Sequence, residues 1–565
     1  MVEQQDDLQS LGGNFRAEDL SRAELEELTV LSERESEVLR ALESPGQRLL
    51  IGPRGSGKST YLKLAYYQAL DESRVLPVYV NYSKSITLEP TFRTSANALP
   101  LFRQWLLAQI VYGAAQTLLE LGLEPPERFA VQVGQARELV SAIERRRVEQ
   151  APETTMDVTG VLDLLEVCVR HGGRRRAVLL LDDAAHAFAP EQQREFFEVF
   201  GALRSRWVSA KAAVYPGVTS YTPRFHVGHD AQLIDVWLRP DQPAYLEMLR
   251  EIAAKRLDRD DYARLERREG LLEYLALASF GIPRTFIVML AKIVEENDAT
   301  KLQASVLLAD EAIVEASESA LKVFTSLQAK LPRYRNFVEV GRELVDAILG
   351  AIREYNDGRM ISGQSGRVST ILVQEPFPPE VHRIVGLLEY AGVVRLQPGT
   401  VSNGPRTYRV LVPHYALLIS RTALGLGRNP SVGAAVTALN GRESRVRLRR
   451  QLPSLLGADY VSRCRLDLGA CAVCGAQREN AEARFCANCG SRLEQVSVFE
   501  ELLDASVEEL PISSALLARI REHSDISKIK HILLDEERQA LLKIPYIGQV
   551  RAVRIRGLAE EFVYE

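Results

Sequence analysis

The chain lacks what would tie it to a membrane. No stretch reaches the roughly 18 consecutive apolar residues that a spanning helix needs. Residues 1–40 are acidic and polar, without the basic start and apolar core of a secretory signal, so the expected compartment is the cytoplasm. Surplus positive charge is missing too. Lysine and arginine number 70 against 75 aspartates and glutamates, a net charge of −5, so any surface for nucleic acid must be local. Cysteine is scarce, with six in 565 residues, yet four of the six fall between Cys471 and Cys489. In a reducing compartment that crowding excludes a disulfide framework and points to metal.

What remains is ordinary globular material, 46% hydrophobic and 26% charged. The length asks for about three to five folded units. One stretch organises them. A short apolar run, Leu49 to Ile51, ends at Gly52, and Gly52-Pro53-Arg54-Gly55-Ser56-Gly57-Lys58-Ser59-Thr60 leads into a segment of helical apolar spacing. Strand, glycine-rich turn and helix are the context that G-x-x-x-x-G-K-[ST] requires, which sets aside a chance glycine loop. Glycines let backbone N–H groups point at phosphate oxygens, and the positive end of the following helix adds to that field. Lys58 would place its charge between the β- and γ-phosphates, and Ser59 would offer a hydroxyl to Mg²⁺. The chain is expected to bind a nucleoside triphosphate.

A second apolar run, Ala177 to Leu181, ends in Asp182-Asp183 and reads as a buried parallel strand with acid at its carboxyl end. Ligands of open α/β sheets sit at such ends. Asp182 would hold Mg²⁺, and Asp183 would orient or activate the attacking water. The stretch Lys211 to Ser220 reads as the next strand, its polar end at Thr219 and Ser220 within reach of a γ-phosphate or the water. Arg224 follows, either a charge stabiliser in cis, a group reaching a neighbouring subunit, or a solvated loop arginine. Between the second strand, Val75 to Asn81, and the Asp-Asp strand lies a long, mainly helical insertion. Further on, Gly281 and Pro283 break one helix and start another, which puts Arg284 in a first turn. A cation is disfavoured there by the helix dipole, and a nearby anion would resolve the conflict.

These residues carry a family resemblance. The phosphate loop Gly52 to Thr60, the strand ending Asp182-Asp183, the polar end Thr219-Ser220 and Gly281-Ile-Pro-Arg284 occur in AAA+ order. Residues 31–300 thus resemble the origin-recognition-complex-like branch and related STAND ATPases. The resemblance implies an α/β P-loop core of five parallel strands, ATP as ligand, and a helical lid carrying Arg284 to the γ-phosphate. It also implies possible homo-oligomers and, by analogy with bacterial defence systems of this build, a separate effector protein. Asp182-Asp183 departs from the Asp-Glu usual in vigorous AAA+ ATPases and leans towards a slow nucleotide switch.

The expected divisions are a polar segment 1–30, the P-loop core 31–235, a helical lid 236–305 and a helical, winged-helix-like domain 306–425. A basic linker 426–465, a zinc ribbon 466–495 and a helix-hairpin-helix-like domain 496–565 complete the chain. Pro379 to Arg395 reads as a helix running into a strand, and Tyr408 to Val412 returns as another after a turn-rich loop. This resembles a winged helix, which either touches DNA or serves as packing. Nine arginines lie between 421 and 465 (421, 428, 442, 445, 447, 449, 450, 463, 465), either a solvated face or phosphate contacts. Cys471, Cys474, Cys486 and Cys489 form two C-x₂-C turns, each followed by glycine, and complete a tetrahedral S₄ zinc site with no open position, resembling a zinc ribbon. Cys168 reads as core and Cys464 as a bystander. Finally Leu541 to Ala559 resembles a helix-hairpin-helix, with Tyr546 replacing the first turn glycine and Gly548 keeping the second. Arg551, Arg554 and Arg556 lie on its second helix, so the hairpin reads as a DNA-phosphate clamp or a protein-docking element.

Overall fold

The computed structural model describes residues 16–564, except 18–19, 73, 84–87, 89–97, 146–154, 184–189, 299, 428–429, 441–446, 479–482, 484, 494–497, 513 and 536. Five strands build the first sheet: β1 (Arg48–Ile51), β2 (Val75–Asn81), β3 (Arg176–Asp182), β4 (Val208–Val214), buried along its whole length, and β5 (Gln232–Asp235), mostly exposed. All pairs are parallel, in the order β2-β3-β4-β1-β5. Chain order and strand order differ, as crossover helices on both faces require. The glycine-rich loop leaves the carboxyl end of β1 and runs into helix α1 (Lys58–Asp71). This is an α/β P-loop sheet, with the glycine-rich loop at the carboxyl end of an inner parallel strand.

The region between β2 and β3 contains α2 (Ala98–Glu120), whose buried side chains include Trp105 and Phe102, and the helix Ala130–Glu144 beside it. That is the helical insertion read from the sequence. The described part of the N-terminal segment carries a short helix. Ser21 and Glu24 form a reciprocal capping box on the helix Arg22–Leu28.

After β5 come four helices, among them α3 (Tyr245–Arg256) and α4 (Pro283–Glu296). The long helices α5 (Val306–Lys330) and α6 (Arg335–Ile361) then lead to a second sheet. It contains β6 (Ile371–Gln374), β7 (Val394–Leu396), β8 (Val401–Asn403), β9 (Arg406–Pro413) and β10 (Arg449–Arg450), in the order β10-β6-β9-β7 with β8 paired to β9. Helix α7 (Pro379–Tyr390) runs into β7, the helix–strand–loop–strand order expected there. The segment 426–465, read from sequence as a basic linker, carries structure of its own. Leu448 is buried, Arg449 and Arg450 pair with Leu372 and Val373, and Leu452 and Leu456 join the same core. Alternation of arginine with leucine puts one face of that run in the core. Arg428, Arg442 and Arg445 lie outside the described residues.

The two units meet closely. Gly217, just past β4, abuts Gly386 in the middle of α7, where an added Cβ on Gly217 would lie 2.0 Å from the Gly386 carbonyl carbon. Residues 498–563 hold a separate small core, including Phe499, Leu502, Ile529 and Ile555, and end in helix α8 (Gln549–Tyr564).

Candidate functional site

The phosphate loop is shaped by two glycines in the left-handed region, Gly55 at φ 79° and Gly57 at φ 88°. Gly57 is the N-cap of α1, so the first-turn N–H groups of the helix open towards the loop. Ser56 donates its hydroxyl to the Pro53 carbonyl at 2.8 Å and pins the turn. Lys58 is buried under it. Its ammonium donates to the Gly52 and Pro53 carbonyls at 3.0 Å each and lies 3.6 Å from the centre of the Tyr215 ring. Two carbonyls and a ring face hold the charge where a phosphate would take it.

Opposite the lysine stands the end of β3. Asp182 is fully buried; one carboxylate oxygen accepts from the Tyr79 hydroxyl at 2.9 Å and the other from the Asp183 N–H at 3.0 Å. Asp183 leaves the strand with φ 48°, a left-handed turn that aspartate tolerates better than most residues. Its carboxylate faces the same cavity as Gly55, Lys58 and Ser59. The Tyr215 hydroxyl donates to it at 3.4 Å. Ser59 and Asp183 line the cavity, whereas Asp182 is fully buried behind Asp183 and is not among the lining residues.

The polar strand end lies elsewhere than Thr219. Strand β4 stops at Val214, because Pro216 has no N–H to give and Gly217 turns left-handed at φ 69°. Thr219 accepts from the Tyr215 N–H at 3.1 Å and donates to the Tyr215 carbonyl at 2.8 Å, closing that turn. The Ser220 N–H donates to Gln193. Tyr215, the first residue past β4, faces the loop and lines the cavity. Arg224 is exposed and does not line the cavity; its N–H donates to the Thr222 hydroxyl at 3.1 Å.

Arg284 is brought in by a tight corner. Gly281 has φ 76°, and a Cβ there would lie 2.0 Å from the Leu238 carbonyl oxygen. Pro283 then opens α4, and the Arg284 N–H reaches the Gly55 carbonyl at 3.4 Å. The side chain lines the cavity. The anion that its first-turn position called for is Glu561 of α8, which accepts a hydrogen bond from the guanidinium. Arg54 donates to the Glu561 carbonyl at 3.0 Å and approaches its carboxylate at 3.5 Å.

The far wall of the cavity is apolar: Leu28 and Val30 from the N-terminal segment, Met248 and Ile252 from α3, and Ile287 from α4. Polar groups interrupt it at Glu35, which accepts from the Tyr61 hydroxyl at 3.3 Å, and at Arg256, whose pKa burial pulls down to about 10. None of these wall residues carries a local motif, so their sequence gave no signal.

The four cysteines form the second centre. Their sulfurs all lie within 4.8 Å of one another, with Cys471 and Cys489 at 3.6 Å and Cys474 and Cys486 at 3.6 Å. Four thiolates at about 2.3 Å from one tetrahedral zinc stand roughly 3.8 Å apart, so the set fits that ion. Each turn repeats the same bonds. The Gly475 N–H donates to the Cys471 carbonyl and the Gly490 N–H to the Cys486 carbonyl, with both glycines left-handed. Cys168 and Cys464 are buried away from the cluster.

The basic and hairpin residues are partly spent within the chain. Arg463 pairs with Glu343 at 2.8 Å and Asp459 at 3.6 Å. Arg556 donates to the Asp535 carbonyl at 2.6 Å and to Glu560 at 3.1 Å, and Arg551 lies 3.8 Å from Glu295 of α4. Burial lowers the pKa of Arg554, against the pull of Glu295 and Glu315. Arg421, Arg447, Arg449 and Arg465 are exposed. Among the described residues, no helix is long and apolar enough to cross a membrane.

No family model and no curated protein matches the sequence. Several solved structures are similar to it. A Walker-type ATPase of Pyrococcus abyssi aligns over 72% of this chain and 97% of its own, at 16% identity and a TM-score of 0.37. Cdc6p of Pyrobaculum aerophilum aligns over 74% of this chain and 96% of its own, at 15% identity and a TM-score of 0.29. The ORC1 protein of Aeropyrum pernix, solved in complex with DNA, aligns over 70% and 92%, at 15% identity and a TM-score of 0.28. The fold described above rests on the chain's own strand order and loop position, independently of these likenesses.

Proposed function

We propose that this chain is an ATP-binding, slowly hydrolysing AAA+ switch that couples its nucleotide state to engagement of DNA or a protein partner. The observation that carries the reading is the group under the loop: Lys58 against Tyr215, with Asp183 bonded to the same tyrosine. A cation, a carboxylate and the first turn of α1 meet at one cavity, which is what a triphosphate with Mg²⁺ needs. Bound ATP supplies the scissile phosphoanhydride, and Mg²⁺ would be held by Ser59. The chain's own residues do the rest. Lys58 leaves the carbonyls of Gly52 and Pro53 for phosphate oxygens, Asp183 orients water and accepts its proton, and Tyr215 holds Asp183. Arg284 senses the phosphate end. Arg224, exposed on its loop, is left for a neighbouring subunit.

Calorimetry with ATP–Mg²⁺ tests this. Wild type is expected to bind and Lys58→Ala to lose binding or weaken it at least tenfold; heat signals identical for both would sink the reading.

A second reading makes the tail a protein-docking device with a structural zinc. It is favoured by the contacts that Arg551 and Arg556 make within the chain and by the exposure of Val473 and Phe485 on the ribbon. Binding of full-length protein to duplex DNA that weakens steeply with salt supports the DNA reading. Salt-insensitive binding, or none, supports the protein partner.

A further inference from the structure

Helix α8 lies against the phosphate loop and the start of α4, where the Glu561 carboxylate makes ionic contacts and its carbonyl accepts a hydrogen bond from Arg54. The side chain of Glu561 is 12% exposed and meets three guanidinium groups: Arg284, Arg54 at 3.5 Å and Arg16 at 4.0 Å. Next to it, Glu560 reaches Arg16 at 3.5 Å and Arg556 at 3.1 Å. The helix is seated on the lid and beyond. Arg551 approaches Glu295 of α4, and the ammonium of buried Lys330, at the end of α5, lies 5.4 Å from the Phe562 ring.

Two of the three arginines line the cavity that takes the triphosphate, Arg54 within the loop and Arg284 at the start of α4. A carboxylate with little water around it, held by several guanidinium groups, is a stronger fixture than a surface ion pair. The same cations cannot be given fully to Glu561 and to a phosphate. A triphosphate entering the site also brings several negative charges close to that carboxylate, in a partly desolvated place where repulsion is weakly screened.

We propose that Glu561 is an internal anionic competitor of the bound triphosphate: nucleotide phosphates displace it from Arg54 and Arg284, and α8 is released from the phosphate loop. The proposal rests on the reading of the cavity as an ATP site and adds how that site is coupled to the tail. Release of α8 frees Arg551 from Glu295 of α4. The hairpin Ile544 to Gly548, which opens α8, then gains freedom to engage a partner. Linkage is reciprocal, so whatever captures the released hairpin tightens ATP by the same factor.

The test uses the full-length chain. Calorimetry compares ATP–Mg²⁺ binding to wild type, Glu561→Gln and Glu560→Gln, and amide hydrogen exchange follows residues 549–564 of wild type with and without saturating ATP–Mg²⁺. Glu561→Gln is expected to bind ATP roughly fivefold tighter or more, the low end of typical coupling. Glu560→Gln should stay near wild type, and the helix amides should exchange faster with ATP bound. Wild-type or weaker affinity in Glu561→Gln overturns the proposal. So does equal protection of the helix in the two states of wild type, a measurement that needs no substitution to fold. Absence of ATP binding in every variant and in wild type is a different result, and it removes the proposed function itself.

Discussion

Asp183 is held in a backbone state that few side chains accept, φ 48°, and its carboxylate is almost wholly buried. Strain of that kind persists only where surrounding contacts fix it, here the Tyr215 hydroxyl and the bond from its own N–H to Asp182. The substitution that separates charge from conformation is Asp183→Asn, because asparagine also tolerates the left-handed region. If Asp183 accepts the proton of the attacking water, Asp183→Asn should keep ATP affinity while single-turnover hydrolysis falls by about 10²–10⁴. Turnover equal to wild type would remove it from the mechanism. Tyr215 teaches a related point. Only the position of Lys58, 3.6 Å from its ring, shows that it faces the loop.

At the scale of elements, the strand ends that carry Gly52 and Asp182 were legible because each is an apolar run stopped by residues of another chemistry. Thr219 was assigned to a strand end by the same habit, and there the local breakers Pro216 and Gly217 decide instead. Gly217 has a second duty, since it touches the backbone of α7. Gly217→Ala should cost about 3 kcal/mol, from overpacking against Gly386 and the left-handed φ together. Gly228→Ala isolates the backbone part, for Gly228 has φ 92° with open space about its Cβ, and about 1 kcal/mol is expected. Equal urea midpoints for the two variants would show that the contact with α7 carries no weight. The cysteine turns were legible in full, as their spacing alone brings four sulfurs together. Cys474→Ser should abolish zinc content and unfold the ribbon while ATP affinity stays within about twofold, because none of the described ribbon residues lines the cavity. Loss of both would mean that the ribbon and the P-loop core fold as one.

For the whole molecule, what the sequence could not reveal is how distant parts close on one another. Arg284 and Glu561 are 277 positions apart, and no local pattern announces such a pair. The joint between the two sheets is another. Arg395 of β7 reaches across to Asp235 at the end of β5 at 2.7 Å, donates to the Trp237 and Leu238 carbonyls and lies 4.7 Å from the Trp237 ring. Glu389 of α7 sits beside this group and accepts from the Leu396 N–H at 2.9 Å. Burial pushes the Glu389 carboxyl up from 4.5 to about 7, more than that N–H, Arg395 and Arg409 pull it down, while Asp235 adds to the rise. Between those values the folded protein keeps a proton that the unfolded chain has lost. The contribution is therefore intact below the unfolded value and is lost as pH climbs to about 7. Glu389→Gln cannot titrate and escapes the loss. Comparing urea midpoints at pH 5 and pH 8, the variant should gain on wild type by no more than about 3 kcal/mol over that interval. Parallel profiles for the two proteins would mean that Glu389 ionises freely and that the joint does not respond to pH through it.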